Sequence, residues 1–380
     1  MRFNHPSDYV SFFVRRKARQ KSAYYAGKWR ALGDNNTFLK QFVWYGVPFW
    51  EIVSPAYDHI VTSFSQKIIE TIEGSELLLK RQRIGAVILR ASVSGQIHFS
   101  ILGLVAHHMN IPAIELQHGL EIVKPFSLSA VKYADTLASY GPLIKKEFEA
   151  LGGRGPRVLE IGSPRFDRYQ NEVISNEAGD LLRKKLGIDP RRPVLLYVAT
   201  DIVPGQTHDT YSMLRLFKKL AQLGEMIPEA HIVVKIRPGP AQEKFFKQSL
   251  KESFGEKGIV AQYENMHELF SISSVILSSF STVVLEAMIA KKPVVLVGTE
   301  ESDRMLMEWH FLPYEEKGAL RIARTEGDLV RHVRELLVPS RAEVVITRAD
   351  DFLKNNFCFD GRSAERMARF LDGLRNAPHS

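Results

Sequence analysis

SVILSSFSTVVLEAMIAKKPVVLV, residues 274–297, is the stretch that decides the fold. Its apolar run at 275–277 predicts a buried strand that stops at small hydroxyl side chains, namely Ser278, Ser279, Ser281 and Thr282. A helix is predicted next, with Glu286 one turn in, and a second buried strand follows at 294–297. Strand, small-polar turn and helix in this order are typical of a parallel sheet that offers hydroxyl and helix N–H groups to a phosphate. The stretch therefore predicts a nucleotide site without a glycine-rich loop, with Glu286 within reach of ribose hydroxyls.

The chain from residue 84 onward alternates apolar strands with helices, which predicts an α/β fold with parallel sheets. One set of strands is predicted at 85–90, 111–117, 135–141 and 157–162, and a second at 193–200, 231–238, 258–263, 275–277, 294–297 and 319–325. The polar stretch 162–193 is predicted to connect the two sets. We expect two Rossmann-like sheets that face each other across a cleft. Arg304, Trp309 and His310 are expected in a loop after the second strand of the opening stretch, where they would border the donor.

The length of 380 residues exceeds what one ordinary core accommodates, so two domains are expected. We predict a first domain at 1–165, a second, nucleotide-binding domain at 190–345, and C-terminal helices at 346–380 that pack back on the first domain. The single cysteine, Cys358, is expected within one of those helices, and it excludes an intramolecular disulfide. The sequence shows no signal-peptide pattern and no apolar run of about 18 residues, which predicts a cytoplasmic protein.

The net charge of +8 is concentrated at the N-terminus. Residues 1–30 contain eight Lys and Arg residues against the single acid Asp8, with seven aromatic residues interleaved. Basic residues mixed with aromatic ones suit the surface of an anionic membrane, which would place the protein at the inner face of the cytoplasmic membrane. The alternative is a solvated basic helix whose aromatic rings pack on the first domain. Nucleic acid is not expected as a partner, because no nucleic-acid motif accompanies the charge.

Polar residues that follow predicted strands are the candidates for chemistry, since ligands bind at the carboxyl ends of parallel strands. His118 follows the strand in LQHGL and can act as a general base near neutral pH, or it can simply satisfy a turn. Lys235 and Arg237 end the strand in HIVVKIRP, and alternation places both on one face, where they suit a diphosphate or carboxylate. We expect them close to Ser278–Thr282, at the ends of neighbouring strands.

Two further strand ends give weaker candidates. Thr200 and Asp201 follow the strand at 193–200 and border either a phosphate or an ordinary turn. Ser94 and Gln96 precede a helix in the first domain and offer groups to an acceptor. The sequence contains no P-loop, no GxGxxG, no HExxH and no clustered Cys/His ligands, which argues against P-loop NTPases, dinucleotide oxidoreductases and a structural zinc. We therefore expect no cofactor and no metal.

Several motifs, taken in order, resemble the GT-B glycosyltransferases that build bacterial surface polysaccharides. They are LQHG at 116–119, IGSPRFD at 161–167, VVKIRP at 233–238, and SSFSTVVLEA at 278–287 followed by KKPVVLV. The nearest likeness is to CMP-Kdo and CMP-sialic acid transferases of capsule and lipopolysaccharide synthesis, and to CDP-glycerol glycerophosphotransferases. The resemblance implies a GT-B fold with a first, acceptor domain.

The same resemblance assigns roles to residues. It implies that His118 is the catalytic base, that the Ser/Thr cluster holds the donor phosphate, and that Glu286 holds the ribose. The family's Lys-x-His-Pro motif reads Lys235-Ile-Arg237-Pro238 here. Arginine in place of histidine keeps a phosphate-binding cation but removes a titratable group, which argues against a mechanism with two histidines.

Four functions fit these observations. The first is a metal-independent transferase that moves a sugar from a nucleotide donor, with a CMP-sugar favoured, to a surface glycan or lipid-linked acceptor. The others are a CDP-polyol phosphotransferase, a UDP-sugar 2-epimerase, and a non-catalytic protein that binds a sugar nucleotide. Product analysis and the dependence of turnover on an acceptor distinguish them.

Overall fold

The computed structural model describes residues 5–90, 97–119, 134–150, 157–199, 210–237, 240–255, 258–298 and 301–376. The chain begins with a helical unit that carries a small hairpin. Its elements are a 3-10 turn (Pro6–Tyr9), α1 (Phe12–Gly33), α2 (Asn36–Leu39), a 3-10 turn (Lys40–Phe42), strands β1 (Val43–Trp44) and β2 (Val47–Pro48), α3 (Trp50–His59), a π-helical turn (Ile60–Phe64) and α4 (Ser65–Arg81). Helix α1 packs along α4, with Ala18 and Ser22 buried between them.

The first sheet has four parallel strands in the order β3-β4-β5-β6. Its elements are β3 (Val87–Arg90), α5 (Ile97–His108), β4 (Ala113–Leu116), β5 (Thr136–Ser139), α6 (Pro142–Ala150) and β6 (Arg157–Glu160). Helices α7 (Asp167–Asn171) and α8 (Asn176–Leu186) then connect this sheet to the next one. All four strands and the helical connection agree with the sequence pattern.

The second sheet has six parallel strands in the order β12-β11-β10-β7-β8-β9. Its elements are β7 (Val194–Val198), α9 (Thr210–Met226), β8 (His231–Lys235), α10 (Pro240–Phe254), β9 (Ile259–Ala261), α11 (Met266–Ile272), β10 (Val275–Ser278), α12 (Val283–Ile289), β11 (Val294–Val297), α13 (Glu301–Glu316) and β12 (Arg321–Ala323). Helices α14 (Glu326–Leu336), α15 (Pro339–Asn356) and α16 (Ser363–Asn376) follow. This strand order is that of dinucleotide-binding folds, and it reverses direction between β7 and β10.

One hydrophobic core joins the two sheets where the chain passes between them. Four buried aromatic residues belong to this core: Tyr140 after β5, Phe166 before α7, Phe270 in α11, and Phe359 after α15. The rings of Tyr140 and Phe166 each contact the ring of Phe359, at centroid distances of 5.4 and 5.2 Å. The two halves are therefore held together by aromatic packing at their junction.

The last helix packs back on the first sheet. Met367 of α16 is buried in a cluster with Ile114 and Ala138 of that sheet. The buried Asp167 carboxylate accepts hydrogen bonds from the backbone N–H groups of Ser363 (3.0 Å) and Ala364 (2.8 Å), which begin α16. A carboxylate at this position satisfies N–H groups that the helix itself leaves without partners.

Three expectations about local structure are wrong. Cys358 lies between α15 and α16, where its backbone N–H donates to the Tyr140 carbonyl at 2.8 Å, and not within a helix. Arg304, Trp309 and His310 lie in α13 and not in a loop, because 301–316 forms a continuous helix that tolerates Pro313. Strand β7 separates β8 from β10, so the Lys235–Arg237 segment and the Ser278–Thr282 turn do not end neighbouring strands.

Among the described residues, no helix combines the length and apolar character needed to cross a lipid bilayer.

Candidate functional site

The serine-rich turn of the opening stretch lies where the second sheet changes direction. Strands β7 and β10 are paired neighbours, and their crossovers run to opposite sides, which opens a crevice at their carboxyl ends. Ser278 and Ser279 are fully buried there, while Ser281 and Thr282 are partly exposed. Ser281 and Thr282 are therefore the two hydroxyls of the turn that a ligand can reach directly. Helix α12 has only seven residues, so its dipole adds little to what these hydroxyls offer.

The two buried serines differ in their hydrogen bonding. The Ser278 hydroxyl donates to the carbonyl of Ser279 at 3.1 Å. The Ser279 hydroxyl has no hydrogen-bond partner within the described residues, although it is 1% exposed. Because a buried hydroxyl without a partner is costly, Ser279 is the member of the turn with unused hydrogen-bonding capacity.

Glu286 stands one turn into α12, and both its carboxylate oxygens are occupied. Arg165, from the connection between the sheets, places a guanidinium nitrogen 2.7 Å from Oε1. The hydroxyl of Tyr169 in α7 donates to Oε2 in a short hydrogen bond. Burial, together with the adjacent Glu286 charge, raises the pKa of Tyr169 well above its usual range, so Tyr169 stays a donor. A ribose that binds Glu286 has to share this carboxylate with Arg165 and Tyr169.

His118 follows β4 and contacts an arginine through both ring nitrogens. The Nε–H of Arg90, the last residue of β3, donates to Nδ1 at 2.8 Å, and its terminal nitrogen lies 3.0 Å from Nε2. Partial burial, followed by the charges of Arg90, Arg165 and Arg237, lowers the pKa of His118 below its usual value. The imidazole is therefore neutral at pH 7, the protonation state that a general base needs.

A cavity of about 230 Å³ opens beside His118. Its described wall comes from the ends of the first sheet's strands and from the segment that leaves that sheet: Arg90, Leu116, Gln117, His118, Ala138, Tyr140, Gly162, Ser163, Pro164 and Arg165. Arg165 thus lines the His118 cavity and also contacts Glu286 of the second sheet. One side chain connects the predicted acceptor side of the site to the predicted ribose position.

Lys235 and Arg237 have different environments. Lys235 is buried at the end of β8, and its ammonium donates to the carbonyls of Ile236 (2.7 Å) and Gln262 (2.5 Å). Burial lowers the pKa of this amine. Arg237 lies past the strand, is exposed, and its charge acts on His118. A phosphate role for Lys235 stays a prediction, and it would require the amine to give up its hydrogen bonds to two carbonyls. Arg237 is exposed and would not have to leave a buried position to bind a phosphate.

Four predicted site residues, Thr200, Asp201, Ser94 and Gln96, lie outside the described residues, so their roles stay predictions. Within the described ranges, no group of three or more His, Cys, Asp or Glu side chains is arranged to hold a metal ion.

The sequence analysis did not single out Arg90, Arg165 and Tyr169. Arg165 belongs to the IGSPRFD motif, whose position at a predicted junction between sheets was the available signal. Arg90 ends the strand β3, and His118 follows the neighbouring strand β4. The sequence alone does not show that these two strands pair, so it did not show that the two side chains meet.

Comparison with known proteins identifies relatives of this chain. A family model described as CDP-glycerol:poly(glycerophosphate) glycerophosphotransferase matches residues 57–372. The teichoic acid ribitol-phosphate polymerases TarL and TarK of Staphylococcus aureus are 24% and 22% identical over 226 residues, which is 59% of this chain. The match covers 39% and 42% of those proteins, so the chain spans about two fifths of the length of these relatives.

Solved structures share the fold at low sequence identity. The S. aureus MnaA structure with UDP has a TM-score of 0.60 and 16% identity, with 82% of each chain covered. UDP-GlcNAc 2-epimerase from Neisseria meningitidis has a TM-score of 0.59 and 12% identity, again with 82% of each chain covered. The wall teichoic acid polymerase TagF has a TM-score of 0.53 and 16% identity, and the match covers 83% of this chain and 76% of TagF. These similarities confirm the predicted GT-B fold of two Rossmann-like domains.

The comparisons also rank the predicted functions. They support a transferase of surface-polymer synthesis, as the resemblance implied. Within that class they favour the CDP-polyol phosphotransferase over the CMP-sugar transferase that the sequence analysis put first.

Proposed function

This chain belongs to the CDP-glycerol:poly(glycerophosphate) glycerophosphotransferase family, and on that premise we propose that it transfers a polyol phosphate from a CDP-activated donor to a surface glycan or lipid-linked acceptor. The acceptor hydroxyl attacks the polyol-bearing phosphorus of the donor. The bond from that phosphorus to the bridging oxygen breaks, CMP leaves, and a new phosphodiester forms. The hydroxyl proton passes to a base.

The observation that carries the proposal is the double contact of Arg165. Its guanidinium lines the cavity beside His118 and lies 2.7 Å from the Glu286 carboxylate. A base on the first sheet and a ribose-binding acid on the second are thus near enough to act on one donor–acceptor pair. His118 takes the proton, Glu286 holds the ribose, and Ser281, Thr282 and Arg237 hold the diphosphate.

The leaving group determines what else the site must supply. Negative charge grows on the departing CMP, and fixed donors and cations stabilise it only if they are in position before reaction. The exposed Arg237 and the accessible hydroxyls of the serine-rich turn offer such groups without a metal ion. We therefore propose that turnover does not require a divalent cation, which a chelator tests.

The deciding experiment compares donors, because a CMP-sugar transferase also releases CMP. The full chain is incubated with CDP-glycerol, CDP-ribitol, CMP-Kdo or CMP-sialic acid and with a lipid-linked acceptor, with magnesium or with EDTA. We expect acceptor-dependent CMP release with a CDP-polyol and a new phosphodiester signal by phosphorus NMR. Glycoside formation from a CMP-sugar would instead support the CMP-sugar transferase. Conversion of UDP-N-acetylglucosamine without acceptor would indicate an epimerase, and nucleotide binding without turnover would indicate the non-catalytic protein.

The membrane partner is proposed from the N-terminal helical unit. Helix α1 contains seven Lys and Arg residues and no acid, although Lys17 and Lys21 are paired with Glu73 of α4. Phe12 and Phe13 at its start are 73% and 78% exposed. These groups suit an anionic bilayer, where aromatic rings insert at the headgroup level and cations meet lipid phosphates.

The hairpin β1–β2 adds a second apolar projection on this unit. Trp44 and Tyr45 are 71% and 86% exposed at its turn, where Tyr45 and Gly46 both have positive φ. Trp and Tyr are the residues that favour membrane–water interfaces. We expect Trp44→Ser/Tyr45→Ser to lower co-sedimentation with phosphatidylglycerol vesicles about tenfold. The control is Tyr263→Ser, which removes a tyrosine that is 69% exposed on the second sheet's side. Equal binding by all three proteins would exclude the hairpin as a docking element.

A further inference from the structure

Two arginines at the site contact the two groups that the proposed function needs. Arg90 donates to Nδ1 of His118 at 2.8 Å, and Arg165 lies 2.7 Å from Oε1 of Glu286. Both arginines also line the same cavity of about 230 Å³. The described residues of that cavity wall include no Asp or Glu, and Glu286 is not among them. Within the described wall, the positive charges of the two arginines are therefore not balanced by a carboxylate.

The contact between Arg90 and His118 prevents His118 from acting as a base. A guanidinium only donates hydrogen bonds, and Arg90 nitrogens lie 2.8 Å from Nδ1 and 3.0 Å from Nε2 of the ring. In either tautomer the lone pair of the neutral ring therefore faces Arg90, and none is left for an acceptor hydroxyl. Base catalysis therefore requires Arg90 to move to another acceptor.

The contact between Arg165 and Glu286 limits the ribose in the same way. Arg165 and Tyr169 together use both oxygens of the carboxylate. Arg165 is about half exposed, and its guanidinium also lies over the Phe166 ring at 4.8 Å, so it can turn without unfolding its surroundings. A phosphate is the ligand for which two guanidinium groups are best suited, because each can donate two parallel hydrogen bonds to its oxygens.

We propose that the His118 cavity is a phosphate-binding site, and that a phosphate group in it draws Arg90 away from His118 and Arg165 away from Glu286. The phosphate comes from the donor diphosphate or from the phosphodiester of the acceptor chain. Its arrival leaves a lone pair of His118 open to the acceptor hydroxyl and an oxygen of Glu286 open to the ribose. The site would then become active only when a phosphate is present. The catalytic consequence rests on the proposed function, whereas the anion site itself does not.

The charged groups that face the imidazole define what a titration would report. They are Arg90 from β3, Arg165 from the connection between the sheets, and Arg237 from beyond β8. Tyr140 is the other ionisable residue on the described cavity wall. An anion that enters among these cations favours protonated His118, so phosphate should raise its pKa.

The test follows the His118 ring signal by NMR as pH is varied, with inorganic phosphate absent and then saturating; His118→Asn identifies the signal. We expect phosphate to raise the pKa by about one pH unit. In Arg90→Gln the pKa without phosphate starts higher and phosphate raises it less. The control is Arg168→Gln, which alters a neighbouring arginine that contacts Asn265 and Glu172 instead. An unchanged His118 signal in the native protein, or equal responses in both variants, would overturn the proposal.

Arg165 is tested by binding, which does not depend on the folding of the Arg90 variant. Arg165→Gln should weaken CDP about tenfold and leave cytidine affinity equal or higher, because Glu286 loses a competitor. Arg165→Lys should recover part of the CDP affinity. An equal loss of CDP and cytidine affinity would contradict the exchange of Arg165. Glycerophosphoglycerol, an acceptor-like diester, is compared with CDP: whichever raises the His118 pKa identifies the source of the phosphate.

Failure of this inference is distinguishable from failure of the proposed function. A phosphate-dependent rise in the His118 pKa without polyol phosphate transfer would retain the anion site and reject the phosphotransferase. Transfer without any response of His118 to phosphate would retain the phosphotransferase and reject the anion site.

Discussion

Gly162→Ala tests whether the IGSPRFD segment is shaped to seat the C-terminal chain. Gly162 has φ +84°, and a Cβ there would overlap the carbonyl oxygen of Cys358 and lie 2.5 Å from the Ser363 hydroxyl. That carbonyl also accepts a hydrogen bond from Arg366 at 2.7 Å. The substitution therefore strains the backbone and displaces the segment that leads into α16.

The magnitude follows from a matched glycine. Gly187 ends α8 with φ +69°, and a Cβ there would meet nothing within 4 Å. Gly187→Ala should therefore cost only the left-handed backbone strain, about 1–2 kcal/mol. Gly162→Ala adds overpacking against backbone, about 1–3 kcal/mol, and weakens at least one hydrogen bond worth about 1 kcal/mol. The reduced freedom of the unfolded chain applies equally to both variants and cancels in the comparison.

Urea denaturation measures the two variants side by side, and hydrogen exchange reports on α16. We expect Gly162→Ala to lower the free energy of unfolding by about 2 kcal/mol more than Gly187→Ala. Amides of α16 should exchange faster only in Gly162→Ala, because Asp167, which caps that helix, follows in the same segment. Equal destabilisation by the two variants would show that the close approach at Gly162 does not constrain the junction.

The remaining predictions concern the site. His118→Ala should lower kcat about 100-fold with nearly unchanged nucleotide affinity; full turnover would refute the base assignment. Because the pKa of His118 is lowered and the base must be neutral, kcat/KM should stay level as pH falls to about 6.5 and decline only below it. A decline beginning above pH 7 would contradict this protonation state. Arg237→Ala and Glu286→Ala should each raise the Kd for CDP about tenfold by calorimetry, and unchanged affinity in both would place the nucleotide elsewhere.

Much of the fold follows from the sequence because buried parallel strands are continuous apolar runs. VLLYV at 194–198 and VVLV at 294–297 are buried on both faces, so no polar residue interrupts them. Strand order is less accessible from sequence. That β7 lies between β8 and β10 is fixed by pairing of residues 37 positions apart (β7 with β8) and 80 positions apart (β7 with β10), and this order separates the strand that Arg237 follows from the serine-rich turn. Helix α13 was missed because Pro313 within it is a signal that usually ends a helix.

The site was only partly predictable for a related reason. His118 and the Ser/Thr turn follow strands directly, and Glu286 lies one turn into the helix after that turn, so their position at a sheet edge can be derived from local pattern. Their partners are set by tertiary contacts: Arg165 and Glu286 are 121 residues apart, and Arg90 and His118 are 28 apart. The sequence shows that Arg165 and Arg90 exist. That they contact Glu286 and His118 depends on how the strands pair and how the two sheets are joined.

The junction explains why one short motif carries so many of these contacts. In IGSPRFD, Gly162 admits the Cys358 carbonyl, Arg165 reaches Glu286, Phe166 fills the shared aromatic core, and Asp167 caps α16. A shift of this segment would change the position of the arginine at the His118 cavity together with the packing of the two sheets. The relative position of the sheets and the charge beside His118 are therefore coupled through seven consecutive residues. A ligand that moves Arg165 would consequently act on the junction as well as on the site.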